Sequence, residues 1–240
     1  MRLAIYFAPS PDHVLHRLGS AWLGRDAATG APAAQPPVAG LDAAQLAAIT
    51  ASPRRYGLHA TLAPPFALAD GADPAGLAAA LAALAARLAP AELVPRLGLI
   101  EGFCALLPAA PVPAVSALAA ACVELADGFR ARPGPAELAR RRAAGLTPRQ
   151  EALLQRWGYP YVHEEFRFHM TLSERLPEAA RPPVLAALER HFAPALGRPV
   201  QLDALALFVE PEPGAPFVQQ ARFPLLAIPQ PASAGNRFHA

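Results

Sequence analysis

No lysine occurs among the 240 residues; all 21 basic side chains are arginine. This excludes chemistry that needs a lysine amine: a Walker-type phosphate lysine, a Schiff base or a Ser–Lys dyad. Cysteine is nearly absent too. Cys104 and Cys122 sit in apolar segments, far from any C-x-x-C spacing, and are expected to be buried reduced thiols. Charge is sparse at 17%, with a net of only +2, so no strong steering toward a polyanion such as nucleic acid is expected. No two glycines fall in a G-x-G spacing, which removes the dinucleotide and kinase glycine loops, and no Gly-x-Ser-x-Gly elbow is present. His163-Glu164 lacks the second histidine of a zincin. Long hydrophobic runs are missing as well. The most apolar stretch, Leu77 to Leu88, is interrupted by Arg87 and falls short of the ~20 residues of a membrane span. Leu3 to Ala8 meets Pro9 too soon to be the core of a signal peptide. A soluble cytoplasmic protein with no membrane partner is the expectation.

Hydrophobic residues make up 53% of the chain, enough for a sizeable core, and the length suits one large domain or two small lobes. Leu3 to Phe7 reads as a buried strand, and Ser10 with Pro11 is expected to open a helix reaching Trp22. Asp42 to Ile49 reads as a short helix. Residues 56–62 read as a strand bounded by Pro53 and by Pro64-Pro65. An Ala/Leu helix from Asp73-Pro74 to near Pro90 follows, then strands near 93–100 and 102–107, then a helix from Pro113 to Phe129. The segment 130–161 is rich in Arg, Pro and Gly and holds a helix from Pro148 to Trp157 capped by Thr147. Residues 166–172 read as a strand, Pro182 to Phe192 as a helix, and 200–209 and 217–226 as strands. The tail, 229–240, reads as mobile.

The second half repeats the first: strand with histidine, loop, helix, strand, turn, strand. The copies span about 56–107 and 166–226. Such a pair implies two lobes related by pseudo-symmetry inside a single domain over 1–228, with 130–161 joining them. Hairpin-linked strands with one helix per unit favour an α+β fold over a doubly wound sheet.

Each copy carries His-x-Thr-Leu: His59-Ala60-Thr61-Leu62 and His169-Met170-Thr171-Leu172. Strand side chains alternate between faces, so His and Thr point one way and the apolar pair the other. Two such faces brought together place two imidazoles and two hydroxyls in one cleft. That set suits phosphoester chemistry. One histidine acts as base, the other as acid, and the threonines donate to the phosphate oxygens.

The paired His-x-Thr-hydrophobic motif resembles the two-histidine (2H) phosphoesterase superfamily. Around it, Trp22-Leu23-Gly24-Arg25-Asp26, Arg54-Arg55-Tyr56-Gly57-Leu58, Phe129-Arg130-Ala131, Arg149-Gln150-Glu151 and Trp157-Gly158-Tyr159-Pro160-Tyr161-Val162 resemble one branch of it, an uncharacterised family of phosphonate metabolism proteins encoded in bacterial phosphonate-utilisation operons. The resemblance covers Tyr6 to about Phe223. It implies a bilobal fold of two pseudo-symmetric antiparallel sheets, with helices outside and a central cleft. It implies His59 and His169 as catalytic residues and Thr61 and Thr171 as phosphate-binding ones.

The activity expected is that of a phosphoric diester hydrolase opening a cyclic phosphate or other small phosphodiester on a ribosyl or nucleotide-like substrate, without metal or cofactor. The rivals are a phosphate-ligand or RNA-binding module without turnover, and RNA end processing or ligation. Tyr56, Tyr159, Arg130 and Arg149 are further candidates for the cleft. Arg140 to Arg142 divide evenly between a solvated surface and a grip on substrate phosphates. His13 and His16, three apart, lack a Cys or carboxylate cluster that would complete a metal site. His163, His191 and His239 have no supporting context. The reaction direction, the oligomeric state and the division of acid and base roles are left open at this level.

Overall fold

The computed structural model of the chain describes residues 1–228; the tail expected to be mobile, 229–240, lies outside the described residues. The elements in order are β1 (Arg2–Phe7), α1 (Val14–Leu23), α2 (Ala43–Ile49), α3 (Ala51–Tyr56), β2 (Ala60–Phe66), α4 (Pro74–Ala85), β3 (Ala91–Leu93), β4 (Pro95–Ile100), β5 (Phe103–Pro108), α5 (Pro113–Asp127), α6 (Pro135–Arg142), α7 (Pro148–Trp157), β6 (Met170–Arg175), α8 (Arg181–Phe192), β7 (Val200–Leu202), β8 (Ala204–Glu210) and β9 (Val218–Pro224).

Several expected boundaries shift. The first helix starts at Val14, not at Pro11, because the His13 ring caps it by accepting from the Leu15 amide at 3.1 Å, while Ser10 closes the turn before it. The second shift matters more. Residues 51–56, expected to lead into a strand at Tyr56, form α3, with Pro53 in its first turn, where a missing amide costs nothing. The strand runs from Ala60 through Pro64-Pro65 to Phe66. Those prolines are tolerated because the ladder to β1 is irregular between Leu3↔Phe66 and Ile5↔Ala63, and because β6 pairs with β2 only at Ala60. Likewise, the strand expected from residue 166 begins at Met170. His59 and His169 therefore stand one residue before their strands.

The sheet expectation is corrected in part. Instead of two separate sheets there is one seven-stranded antiparallel sheet in the order β4-β5-β6-β2-β1-β8-β9, plus a two-stranded pair, β3-β7. The repeat is visible in it. β2-α4-β3-β4-β5 and β6-α8-β7-β8-β9 follow the same order, and the corresponding short strands β3 and β7 pair with each other. The sheet's halves join through a single pairing, Ala60↔Met170. Each half mixes the two units: β5 of the first pairs with β6 of the second, α8 packs on β4, and α4 packs on β8 and β9.

Alternation along the central strands separates two layers. Leu3, Ile5 and Phe7 of β1 face the main core under the helices, with Leu62, Leu77, Cys122, Met170, Leu172 and Leu188. Ala4, Tyr6 and Ala8 face the other way into a smaller cluster with Phe208 and Phe217. Cys104 and Cys122 are free and buried, as expected. Trp22 donates its indole N–H to the Leu172 carbonyl at 2.9 Å, fixing α1 to β6. Among the described residues no helix is long and apolar enough to cross a membrane.

Candidate active site

The pairing of Ala60 with Met170 decides the site. In an antiparallel ladder a step up one strand is matched by a step down its partner, and here Ala60 stands opposite Met170. Continuing that register by one residue sets His59 against Thr171, and Thr61 against His169. All four side chains emerge on the face away from the helices, as two His/Thr rows about 7 Å apart along the strands. All four are half-buried.

The two imidazoles are held alike. His59 Nδ1 lies 2.9 Å from the Gly57 carbonyl, and His169 Nδ1 lies 2.7 Å from the Arg167 carbonyl. A carbonyl only accepts, so each Nδ1 carries the proton and donates it. Each Nε2 is thereby left as the group that accepts a proton when the ring is neutral and donates one when it is charged. The Thr61 hydroxyl sits 3.4 Å from His59 Nε2. The Gly57 carbonyl is aimed by a backbone at φ 72° and ψ 179°, which only glycine adopts without strain, and an added Cβ would stand 2.3 Å from the Ala27 Cβ.

The surroundings favour the neutral form of both rings. Burial pushes His59 down to about 4, with His169 adding to the effect and the Gly57 bond opposing it. Tyr6 stacks on the His59 ring at 3.9 Å and 28°, and Tyr56 lies 5.8 Å away. Burial also lowers His169, against the Arg167 bond and the charge of Glu101, and Phe103 lies 5.7 Å from its ring.

The cleft has two adjoining chambers that share Thr61, Phe103 and Tyr159: about 390 Å3 beside His59 and Thr171, and about 230 Å3 beside His169. Tyr56 and Tyr159, expected at the cleft, line it. Arg130 and Arg149 do not. Arg130 turns back to Asp127 at 2.6 and 3.0 Å and to the Arg156 carbonyl at 3.0 Å, locking α5 to α7. Arg149 pairs with Glu164 on the exposed side of α7. Both guanidiniums are spent on carboxylates outside the cleft, Asp127 at the end of α5 and Glu164 after α7.

The cleft holds Tyr6 and Arg2, which the sequence did not single out, and two members of the Arg140–Arg142 run, Arg140 and Arg141. Strand alternation in β1 put Tyr6 on the cleft side, but nothing local set it beneath His59. His16 bonds Asp26 at 3.1 Å and His191 bonds the Leu18 carbonyl at 2.8 Å, so both are structural; His239 lies outside the described residues. Among the described residues no group of three or more His, Cys, Asp or Glu could hold a metal ion.

Fold and site together define an α+β protein whose duplicated His-x-Thr strands meet in one cleft. Over residues 61–218 the chain matches the family described as a protein of unknown function, DUF1045, and it belongs to that family. It is 42% identical over 228 residues, 93% of its length, to a protein of Janthinobacterium sp. (strain Marseille) named ribose 1,5-bisphosphate phosphokinase PhnN, and covers 50% of that protein. A protein of the same name from Laribacter hongkongensis (strain HLHK9) is 45% identical over 217 residues, 90% of this chain and 50% of the relative. The chain thus spans about half the length of the curated relatives it matches.

Proposed function

We propose that the chain is an enzyme of the two-histidine phosphoesterase type that opens a cyclic phosphate, or cleaves another small phosphodiester, by acid–base catalysis without a metal. The observation that carries this reading is the matched pair of Nδ1–H bonds to carbonyls, which leaves two Nε2 atoms as the proton-handling groups of one cleft. One neutral Nε2 takes a proton from water as its oxygen attacks phosphorus. The other, protonated, gives its proton to the leaving ester oxygen as the P–O bond breaks. The products are a phosphomonoester and a free hydroxyl. Thr61 and Thr171 donate to the non-bridging oxygens, where charge builds. Both rings are lowered in the free protein, so the anionic substrate itself favours the proton on one of them.

The relatives' printed name speaks of a ribose bisphosphate, which favours a ribosyl cyclic phosphate among the small substrates and fits a place in phosphonate metabolism. Kinase chemistry in this chain is disfavoured by the absence of lysine and of a phosphate-cradling glycine loop. The test is an assay of the purified protein on a panel of ribose and nucleoside cyclic phosphates with EDTA present. Ring-opening that persists in chelator and disappears in His59→Ala and in His169→Ala supports the reading. Ligand-induced stabilisation with no product on any substrate replaces it with a binding module.

A further inference from the structure

The two chambers of the cleft differ in charge. The chamber beside His169 carries Glu101, Glu165, one arginine, Arg167, and aromatic walls. The chamber beside His59 is lined by Arg2, Arg140, Arg141 and Arg175, with Glu174 as its one carboxylate. The partners of these arginines do not balance them. Arg2 and Arg55 share a single buried carboxylate, Glu210, and Arg140 and Arg141 share a single Glu137, at 3.7 and 2.6 Å. Arg175 is matched by Glu101. Each of the two shared sets therefore keeps one positive charge beyond its own carboxylate, and with Glu174 counted the His59 side retains a surplus of one.

Arg141 is the best organised of the group. Its side chain is 16% exposed, and its guanidinium lies 4.6 Å over the Tyr159 ring. Its Nε is buried and, among the described residues, has no hydrogen-bond partner. An arginine pinned on an aromatic face with an unpaired donor is a pre-organised anion site.

Building on the phosphodiesterase reading, we infer that the substrate carries a second, terminal phosphate besides the reacting one, and that Arg140 and Arg141 bind it on the His59 side of the cleft. The reacting phosphodiester lies between the histidines. A terminal phosphomonoester, a dianion, then meets the surplus positive charge, and the less charged end of the substrate lies against the aromatic chamber. The pseudo-symmetric cleft is in this way polarised for a substrate with two unlike ends.

Binding and turnover are measured separately. Isothermal titration with ribose 5-phosphate, and with ribose as the uncharged control, is run on the wild type, on His59→Ala/His169→Ala and on Arg140→Ala, Arg141→Ala and Arg141→Lys. Expected is binding of ribose 5-phosphate but not ribose, retained without the histidines, weakened about tenfold or more by loss of Arg141 and partly recovered with lysine. Turnover is compared on 2′,3′-cyclic AMP with and without a 5′-phosphate. The expected kcat/KM ratio favours the phosphorylated form at least tenfold and falls toward one in Arg140→Ala and Arg141→Ala. Equal binding of ribose 5-phosphate and ribose, or a wild-type ratio near one, overturns the inference while leaving the phosphodiesterase reading standing. If no cyclic phosphate is cleaved, that reading fails, and the titration alone decides whether Arg140 and Arg141 form a phosphate site.

Discussion

Ala60 lies opposite Met170, and this pair is the one backbone pairing between β2 and β6. Both side chains are fully buried. Everything the candidate site needs follows from that register, because a slip of one residue would turn every histidine and threonine to the other face.

Bulk at this seam should therefore act on the site. Ala60→Leu inserts three carbons where the halves of the sheet meet, at a cost of about 1–3 kcal/mol. The expected outcome is a lowered Tm together with loss of phosphodiesterase activity out of proportion to the folded fraction, read by thermal melting and by assay of the same sample.

His59→Ala and His169→Ala should each lower kcat by about 10²–10⁴ if the rings serve as general base and acid. Circular dichroism should stay close to wild type, since both rings are half-buried at the cleft and neither belongs to the main core. The two variants should remove opposite limbs of the pH–rate profile, which tells base from acid.

Acid should weaken the fold in two stages. His59 is held at about 4 in the folded chain, below the ordinary 6.5. Between those values the unfolded chain binds the proton more readily, so stability falls as the pH drops from 6.5 toward 4. Burial pushes the Glu210 carboxyl up, but hydrogen bonds from Arg2, Gly214 and Arg55 more than reverse this and hold it at about 2. Its contribution is complete above about 4.5 and is lost as the pH falls toward 2. Denaturant melts across this range should show both stages, and His59→Gln should shrink the first alone, the rest of it coming from His169, which burial also lowers.

Gly57→Ala should damage both stability and catalysis. The substitution puts a side chain at φ 72° and drives its Cβ into Ala27. The backbone strain alone costs about 1–3 kcal/mol, and the carbonyl that orients His59 moves with it. Pairing it with Ala27→Gly should relieve the collision and recover part of the Tm but not the activity, since the φ penalty stays. Full recovery of activity in the double variant would show that the Gly57 carbonyl does not set the imidazole.

Sequence alone determined a good deal here. Strand alternation placed His and Thr together and their apolar neighbours on the core side, the repeat announced two matching strands, and the burial of the two cysteines and the Thr147 cap were legible. These are local properties, fixed by periods of two and by contacts within a turn. Only the tertiary structure decided that Ala60 meets Met170, that one sheet replaces two, and that Tyr6 lies beneath His59. It alone set Arg141 in the cleft while Asp127 and Glu164 drew Arg130 and Arg149 away. Cross-strand register joins residues more than a hundred positions apart, and although Arg130 has Asp127 and Arg141 has Glu137 within one helical turn, no local pattern in the chain encodes which arginine turns from the cleft and which lines it.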